Sequence, residues 1–274
     1  MAGPRLLSST KTPLVKRLRA LAARSARDPG GRLILDGVRL VEEALAAGIS
    51  IEVCLYDPAA SRTSTRLSAL LGMLRDRGTR LVPATPHVVA AVSQVETSQG
   101  IVAVAVMPAL DPGLALDNAG LLLVVADGIQ DPGNLGTIVR TADAAAAAGV
   151  AVTGAAADPH HPKTVRATMG SLFHLPVFEI ETAALIEALR ARGARVLVAD
   201  QRGALEYTSA DYRPPVALVF GSEARGPDPR WIASAAAAVR IPIYGRAESL
   251  NVAMAAALLL YEARRAPRGA EVGR

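Results

Sequence analysis

The sequence predicts an α/β fold built as two domains, each with a sheet covered by helices. Short apolar runs alternate with longer helical stretches along nearly the whole chain, which is the pattern of strands connected by helices. A segment rich in proline, glycine and aspartate, residues 109–119, separates two such series. The chain has 274 residues and is 51% hydrophobic, which is enough to bury two cores.

The first domain is predicted at residues 29–108, after a basic N-terminal extension at 1–28. Its apolar runs have the length of buried strands, and the stretches between them have helical spacing. The predicted strands are 32–37, 51–56, 80–85 and 100–108, and the predicted helices are 38–48, 66–78 and 86–95. This order favours a parallel or mixed sheet.

The second domain is predicted at residues 120–266, followed by a short tail at 267–274. Six strands are predicted, at 121–128, 150–154, 175–180, 195–200, 215–221 and 240–243. Helices are predicted at 134–149, 162–170, 182–193 and 229–238, with a terminal helix that ends near residue 265. The stretches 155–161 and 201–214 are predicted to be loops.

The charge balance favours a polyanionic partner. The formal net charge is +5 and the sequence pI is about 9.8. Basic residues concentrate at the N-terminus, where we predict that RNA phosphates are bound by Lys11, Lys16, Arg17 and Arg19. A solvated basic helix is the alternative. Aromatic residues make up only 3% of the chain, which disfavours an aromatic base-stacking sheet.

Several classes of protein are disfavoured. Cys54 is the only cysteine, and the adjacent His160 and His161 lack the spacing of a zinc motif, so we predict no metal. The glycine motifs of Rossmann enzymes, P-loop NTPases and α/β-hydrolases are absent. We expect a soluble cytoplasmic protein, because we find no signal-peptide pattern and no run of about 18 uncharged apolar residues.

Ligands of α/β sheets bind where strands end, and polar residues follow the first predicted strand of the second domain. In DGIQDPGNLGTIVRTAD, residues 127–143, we predict that Asn134 caps the next helix by accepting its free N–H groups. A cap explains Asn134 without a function. Arg140 lies further along this otherwise apolar helix, where burial of an unpaired guanidinium would be costly. Arg140 therefore favours a functional interpretation.

Two later strands end in similar segments. In LVFGSEARGPDP, Gly221 would let the main chain approach a ligand, and Glu223 either pairs with Arg140 or is an ordinary loop acid. In SLNVAMAAALLL, Ser249 is predicted to be the N-cap of the terminal helix. Asn251 then has no structural explanation, because its helix propensity is low and a cap is already present.

Together these segments resemble a known family. DPGNLGTIVRTADAAAAAGV, LVFGSEARGP and IPIYGRAESLNVAMAAALLLYE resemble, in order and spacing, the three motifs of the SpoU (TrmH-type) RNA 2′-O-ribose methyltransferases in the SPOUT superfamily. HPKTVRATMGSLFHLPV and ETSQGIVAVA are also similar to family segments. The resemblance extends from about residue 30 to residue 265.

The resemblance implies an architecture and a cofactor. The smaller N-terminal α/β/α domain would be a ribosomal-protein-like RNA-binding domain, and the SPOUT-type C-terminal domain would contain a deep trefoil knot, with residues near 215–265 threaded through an earlier loop. S-adenosylmethionine would bind bent in the knot. Its contacts would be Ala199, Gly221, Ile241 and Leu250. The family forms homodimers through the catalytic domain, and each site is completed by the partner chain.

The resemblance also assigns the active-site positions, which are Asn134, Arg140, Glu223, Ser249 and Asn251. Methyl transfer to a ribose hydroxyl removes the hydroxyl proton, so negative charge develops on oxygen and a positioned cation stabilises it. Arg140 is expected to supply that cation rather than act as a base, because a guanidinium has a pKa above about 12. Glu223 would orient Arg140, and the other three would position the ribose and the loop.

Several functional alternatives stay open at the level of sequence. The dedicated N-terminal domain favours ribosomal RNA over transfer RNA, and the same layout suits antibiotic-resistance methyltransferases acting on the large subunit. A non-catalytic RNA-binding protein on the same fold is the main alternative, and a small-molecule methyltransferase is another. Binding to DNA is not expected.

Overall fold

The computed structural model describes residues 6–23, 31–108 and 110–265. Part of the predicted basic extension, including Arg5, Arg24 and Arg27, lies outside the described residues, as does the predicted tail 267–274. The chain forms two compact units. The first comprises Met1–Ala109 with His160–His174, and the second comprises Leu110–Pro159 with Leu175–Arg274.

The described residues form eleven strands and eleven α-helices. The strands are β1 (Arg32–Asp36), β2 (Ser50–Tyr56), β3 (Arg80–Pro83), β4 (Ile101–Val106), β5 (Leu122–Asp127), β6 (Gly149–Thr153), β7 (Val177–Glu179), β8 (Arg195–Ala199), β9 (Leu205–Glu206), β10 (Val216–Gly221) and β11 (Ala237–Arg240). The helices are α1 (Pro13–Ala23), α2 (Val38–Ala46), α3 (Pro58–Thr63), α4 (Thr65–Asp76), α5 (Pro86–Ala90), α6 (Gly113–Leu116), α7 (Pro132–Ala144), α8 (Pro162–Thr168), α9 (Thr182–Ala191), α10 (Pro229–Ser234) and α11 (Val252–Arg264). Short 3₁₀ turns lie at Ser171–Phe173 and Tyr207–Ser209.

The first unit is built on a four-stranded mixed sheet in the order β1-β4-β2-β3. Strand β4 runs antiparallel to β1 and β2, whereas β2 and β3 are parallel. Apolar residues of α1, α5 and the strands form its core, which includes Val15, Leu18, Leu55, Val88 and Val104. Cys54 is buried in β2, and burial raises the pKa of its thiol to about 12, so the thiol is neutral and unreactive.

The first unit also contains a segment from the middle of the chain. The sequence places residues 160–174 in the second domain, but in the structure α8 packs against β1. Gly170 lies against Glu43 so closely that a Cβ there would be 2.7 Å from the Glu43 side chain. His174 Nε2 is 3.4 Å from a carboxylate oxygen of the same Glu43. Contacts of this kind are not visible in the local sequence pattern.

The second unit is built on a seven-stranded sheet in the order β7-β6-β5-β10-β8-β11-β9, and all neighbouring strands are parallel. The sequence predicted six strands. Strand β9 adds a seventh within the predicted loop 201–214, and β11 lies at Ala237–Arg240 rather than at 240–243. Strand β9 has only two residues, which are too few to form a recognisable strand pattern in the sequence. Arg240 fixes this edge because its Nη1 donates to the carbonyls of Gly203 and Ala204.

The described part of the chain contains neither a membrane-spanning helix nor a cluster of metal-binding side chains. None of its helices has the combination of length and apolar composition required to cross a bilayer. No group of three or more histidine, cysteine, aspartate or glutamate side chains there is arranged to hold a metal ion.

Candidate active site

The carboxyl ends of the central parallel strands of the second unit border a cavity of about 530 Å³. Its walls come from the chain after β8, after β10 and after β11, and from the first turn of α11. This is where ligands of parallel sheets bind. The lining residues are Ala199, Asp200, Gln201, Arg202, Phe220, Gly221, Ser222, Glu223, Ala224, Arg225, Gly226, Pro227, Val239, Ile241, Ile243, Ser249, Leu250, Asn251, Val252 and Ala255.

Asn134 is not the N-cap of α7. The helix begins at Pro132, and the cap is Asp131, whose carboxylate accepts a hydrogen bond of 2.9 Å from the Asn134 main-chain N–H. Proline is favoured at the first helical position because it has no N–H to leave unpaired. The Asp-Pro pair is therefore the start signal that the sequence interpretation missed. The Asn134 side chain is not needed for capping and is available for other contacts.

The N-cap of α11 is Asn251, not Ser249. The helix begins at Val252, and Asn251 Oδ1 accepts hydrogen bonds from the N–H groups of Ala253 at 2.9 Å and Met254 at 3.4 Å. The prediction for Ser249 was therefore wrong, and Asn251 has the structural reason that the sequence did not reveal. Ser249 is exposed and lines the cavity.

Three of the predicted site residues are joined by a chain of side-chain hydrogen bonds. Asn251 Nδ2 donates to Asn134 Oδ1 at 3.0 Å, and Asn134 Nδ2 donates to Glu223 Oε1 at 2.5 Å. Glu223 accepts only, so it fixes the orientation of the Asn134 amide, which in turn fixes that of Asn251. The orientation that results presents Asn251 Oδ1 to the first N–H groups of α11. One chain of bonds therefore connects the three motif segments.

Arg140 does not fit its predicted environment. It is exposed on α7 rather than buried, and it forms no ion pair with any carboxylate in the described part of the chain. The pairing of Arg140 with Glu223 that the sequence suggested is also not formed, and the Glu223 carboxylate accepts a hydrogen bond from Asn134 instead. Arg140 is absent from the cavity wall. The structure of one chain therefore leaves this guanidinium free to contact a second molecule.

Helices α7 and α11 run parallel and are joined at both ends. The Asn251–Asn134 bond connects their N-termini. At the other end Arg264 Nε donates to the carbonyl of Ala145 at 2.6 Å, and its Nη2 donates to that of Ala146. A cation at a helix C-terminus satisfies free carbonyls and favours the negative end of the helix dipole. This pairing holds the N-termini of both helices beside the cavity.

Gly221 allows the loop after β10 to fold back. A Cβ at this position would lie 2.1 Å from the main-chain nitrogen of Pro227 and 2.4 Å from the carbonyl carbon of Gly226. The loop closes on itself through a hydrogen bond from Gly226 N–H to the Ser222 carbonyl, and Gly226 has φ +70°. Only glycine at 221 is compatible with this loop, which carries Glu223.

Asp127 is a buried residue of this region that the sequence analysis did not single out. It ends β5 and is 4% exposed. One carboxylate oxygen accepts from the Thr153 hydroxyl at 2.7 Å, and the other accepts from the Asp228 main-chain N–H at 2.7 Å. Asp127 thereby fixes the loop after β10 relative to β5 and β6. The sequence did contain a signal for this residue, because Asp127 is the single polar residue at the end of an otherwise apolar strand.

The far end of the same loop is also fixed. Asp228 caps α10 by accepting from the Arg230 main-chain N–H at 2.8 Å. Hydrogen bonds from the Arg230 side chain and main chain lower the pKa of the Asp228 carboxyl to about 2. The carboxylate is therefore ionised, and the loop that carries Glu223 ends on a formed helix cap.

The four predicted cofactor residues, Ala199, Gly221, Ile241 and Leu250, all line the cavity. The walls combine apolar side chains with main-chain polar groups. In the described part of the chain, residues 242–250 form no hydrogen bonds to other main-chain groups. Main-chain groups without protein partners bond to water or to a ligand. The cavity therefore offers both apolar surface and free N–H and C=O groups to a mixed ligand such as a nucleoside.

The predicted RNA-binding residues belong to the first unit. Lys11 precedes α1, and Lys16, Arg17 and Arg19 lie on it with exposed side chains. Arg17 forms an ion pair within the chain, because its Nη2 lies 3.0 Å from Glu52 Oε1. Bonds from Arg32 and then Arg17 hold the pKa of the Glu52 carboxyl below its ordinary value. Lys11, Lys16 and Arg19 are the cations of this set with no ion pair in the described chain.

The corrected cap assignment has a measurable consequence. Asn251→Ala is expected to lower the free energy of unfolding by about 1 kcal/mol, because it removes a helix cap. Ser249→Ala is expected to change it by only a few tenths of a kcal/mol, as at an ordinary surface position. Urea denaturation of both variants measures the difference. Equal losses for the two variants would show that the cap is assigned to the wrong residue.

Comparison with known proteins matches both parts of the chain. Residues 121–261 match the SpoU rRNA Methylase family, and residues 12–103 match the MRM3-like substrate binding domain. The chain is 34% identical over 259 residues to the 23S rRNA (guanosine(2553)-2′-O)-methyltransferase RlmP of Bacillus subtilis, covering 94% of this chain and 98% of that one. It is 34% identical over 250 residues to the 23S rRNA (uridine(2479)-2′-O)-methyltransferase of Streptomyces viridochromogenes, covering 89% and 86%.

A solved structure gives the same result. The AdoMet-bound rRNA methyltransferase from Sinorhizobium meliloti superimposes with a TM-score of 0.84 at 33% identity. The superposition covers 96% of this chain and 98% of that one.

Proposed function

The chain belongs to the SpoU rRNA Methylase family, and on that premise we propose that it is an S-adenosylmethionine-dependent enzyme that methylates a ribose 2′-hydroxyl of 23S rRNA. The observation that carries the proposal is the chain of hydrogen bonds from Asn251 through Asn134 to Glu223, at the edge of the strand-end cavity. These bonds join three segments that are far apart in sequence.

The cavity suits the cofactor. When bound, S-adenosylmethionine supplies an electrophilic methyl group on its sulfonium. Gly221 lets the loop after β10 fold back to form one wall of the cavity, and the free main-chain groups of Ile243, Ser249 and Leu250, which line it, can bond the adenine and the ribose. Ala199, Ile241 and Leu250 supply apolar wall. We propose that Ala199, Gly221, Ile241 and Leu250 hold the cofactor.

The chemical step requires a stabilised oxyanion. The 2′-oxygen would bond to the methyl carbon in line as the methyl–sulfur bond breaks, and the hydroxyl proton would pass to water, so negative charge develops on the oxygen during the attack. We propose that Arg140 provides the cation that stabilises this charge, since its guanidinium is exposed and has no carboxylate partner in the described chain. Asn134, Glu223, Ser249 and Asn251 would position the ribose and the loop that faces it.

We propose that Arg140 acts in the site of a second copy of the chain. Helix α11 packs on α7, and an apolar stripe on α11 is exposed in the single chain. The stripe comprises Met254, Leu258 and Tyr261, which recur at helical spacing of three or four residues. An exposed apolar stripe of this kind is typical of a subunit contact. A homodimer through the second unit would cover it, with α7 of each copy beside the contact.

The dimer predicts the result of a single substitution. Leu258→Asp is expected to dissociate the dimer, because two like charges would be buried at an interface with two-fold symmetry. Light scattering measures the mass of the particle, and Leu114→Asp, at an exposed leucine of α6, is the matched control. A Leu258→Asp protein that remains dimeric would contradict the assignment.

The proposal also includes a knot in the second domain and an RNA-binding role for the first. We propose that residues 120–266, apart from the segment 160–174 that belongs to the first unit, form a SPOUT domain with a deep trefoil knot, in which the segment near 215–265 passes through an earlier loop. The all-parallel sheet and the contact of α11 with α7 support this topology. We also propose that residues 29–108 form a ribosomal-protein-like RNA-binding domain, supported by the match of residues 12–103 to a substrate binding domain.

Ribosomal RNA is preferred to transfer RNA as the substrate. The two curated relatives described above are named for 23S rRNA, and each matches nearly the whole chain, including the first unit. They act on different nucleosides, a guanosine and a uridine, so relatives of this similarity do not share one target nucleotide. A role in antibiotic resistance depends on the nucleotide that is modified. A substrate in ribosomes would place the enzyme in the cytoplasm.

Cofactor binding separates the enzyme from a non-catalytic RNA-binding protein. Isothermal titration of the purified protein with S-adenosylmethionine is expected to show saturable binding at one site per chain. A protein that binds 23S rRNA but shows no heat of binding with the cofactor would exclude the proposed activity.

A further inference from the structure

The loop between β11 and α11 presents an aromatic side chain to solvent. Tyr244 is 93% exposed, and the neighbouring residues Gly245 to Glu248 are exposed as well. In the described chain only one other aromatic side chain, that of Tyr261, is exposed, and it lies on the α11 stripe assigned above to the subunit contact. Tyr244 therefore contributes to neither the core nor that stripe.

The position of this loop connects Tyr244 with the active site. Ile241 and Ile243 on one side of it, and Ser249 to Asn251 on the other, line the cavity. Tyr244 to Glu248 do not line the cavity and are exposed. The loop therefore borders the cavity, with its middle turned outward.

Charge near the cavity suits a phosphate backbone. Arg246 lies in the same loop, and Arg225 lies in the loop after β10 and lines the cavity. Both are exposed, and neither forms an ion pair within the part of the chain that the structure describes. The carboxylates of these loops are those of Glu223, which accepts from Asn134, Asp228, which pairs with Arg230, and Glu248.

From these observations we propose that Tyr244 stacks on a nucleobase of the RNA beside the ribose that is methylated, and that Arg246 contacts the adjacent phosphate. This inference rests on the proposed function and adds to it a contact to the substrate. Sequence-specific recognition of RNA mostly targets unstacked nucleotides of loops and bulges, and aromatic side chains hold such bases by their faces. Such a contact accepts any base, so Tyr244 adds affinity and positioning rather than sequence choice.

The experiment measures binding of in vitro transcribed 23S rRNA to the full-length protein by filter retention. Tyr244→Ala is expected to weaken binding by roughly 5- to 150-fold, the loss of one base–aromatic stack. Tyr244→Phe, which keeps the ring, is expected to bind like the wild type. Tyr244→Leu, which keeps apolar volume without an aromatic face, is expected to behave like the alanine variant.

Salt dependence separates stacking from charge. Arg246→Gln is expected to reduce the slope of log affinity against log salt by about 0.7, as expected for one phosphate contact to single-stranded RNA. Tyr244→Ala is expected to leave the slope unchanged. Arg190→Gln on α9, an exposed arginine paired with Glu187, is the matched control and is expected to retain the wild-type slope and affinity.

Three results would overturn the inference while leaving the proposed function intact. They are wild-type affinity in Tyr244→Ala, wild-type affinity in Tyr244→Leu, and dissociation of the dimer by Tyr244→Ala in light scattering, which would make Tyr244 a subunit contact. Failure of the wild-type protein to bind or methylate 23S rRNA would overturn the proposed function and this inference together.

Discussion

Replacing Arg140 with alanine is expected to lower the single-turnover rate of methyl transfer by roughly 100- to 1,000-fold, the usual effect of removing one group that stabilises a developing oxyanion. The affinity for S-adenosylmethionine is expected to stay unchanged, because Arg140 does not line the cavity. Protein stability is also expected to stay unchanged, because the side chain is exposed and has no ion pair in the described chain. Single-turnover conditions isolate the chemical step from product release.

A conservative variant refines this prediction. Arg140→Lys keeps the positive charge but loses the planar set of donors, so partial activity is expected. If Arg140 acts in the partner's site, mixing inactive Arg140→Ala with inactive Asn134→Ala chains is expected to restore activity in part, because each mixed dimer contains one intact site. Wild-type rates in Arg140→Ala under single-turnover conditions would show that the residue has no catalytic role.

Gly221→Ala is expected to weaken binding of S-adenosylmethionine by roughly 10- to 100-fold, the effect of overpacking worth about 1–3 kcal/mol. The added Cβ would lie 2.1 Å from the Pro227 nitrogen, and main-chain atoms cannot rotate away as a flexible side chain can. The loop after β10 must therefore shift, and that loop supplies the cavity wall from Ser222 to Pro227. Calorimetric titration measures the loss.

Gly245→Ala is the matched control for this effect. Gly245 lies in the neighbouring loop, and a Cβ there meets no atom within 4 Å. It is expected to bind the cofactor like the wild type. Equal affinity in Gly221→Ala and Gly245→Ala would show that the close approach at Gly221 is unrelated to the cofactor site.

Most of the fold could be predicted because its strands carry a strong local signal. The central strands of the second unit, such as β5 and β10, are almost continuous apolar runs, as expected for parallel strands buried on both faces. The family was identified from three motifs and is confirmed by the match of residues 121–261. Strand β9 was missed because its two residues form an edge through contacts with β11 that are distant in sequence.

Three of the predicted site residues lie together in the structure, but the contacts between them were not predicted. Asn134, Glu223 and Asn251 were chosen correctly as neighbours in the fold, since hydrogen bonds join them. The structural roles of these residues were not predicted correctly. Ser249 was preferred as a cap because helix starts are uncertain by one or two residues, and Asn251 is an equally good cap. The exposure of Arg140 depends on which face of α7 packs on α11, and apolar composition alone does not reveal that face.

The central claim, methylation of a ribose 2′-hydroxyl of 23S rRNA, is tested most directly by locating the methyl group. The protein is incubated with methyl-labelled S-adenosylmethionine and unmodified 23S rRNA or large ribosomal subunits, and the RNA is digested and analysed by mass spectrometry. We expect label on the ribose of one nucleotide, with the adjacent phosphodiester resistant to alkali because the 2′-oxygen is blocked. Label on a base, or no incorporation into 23S rRNA by a protein that binds the cofactor, would contradict it.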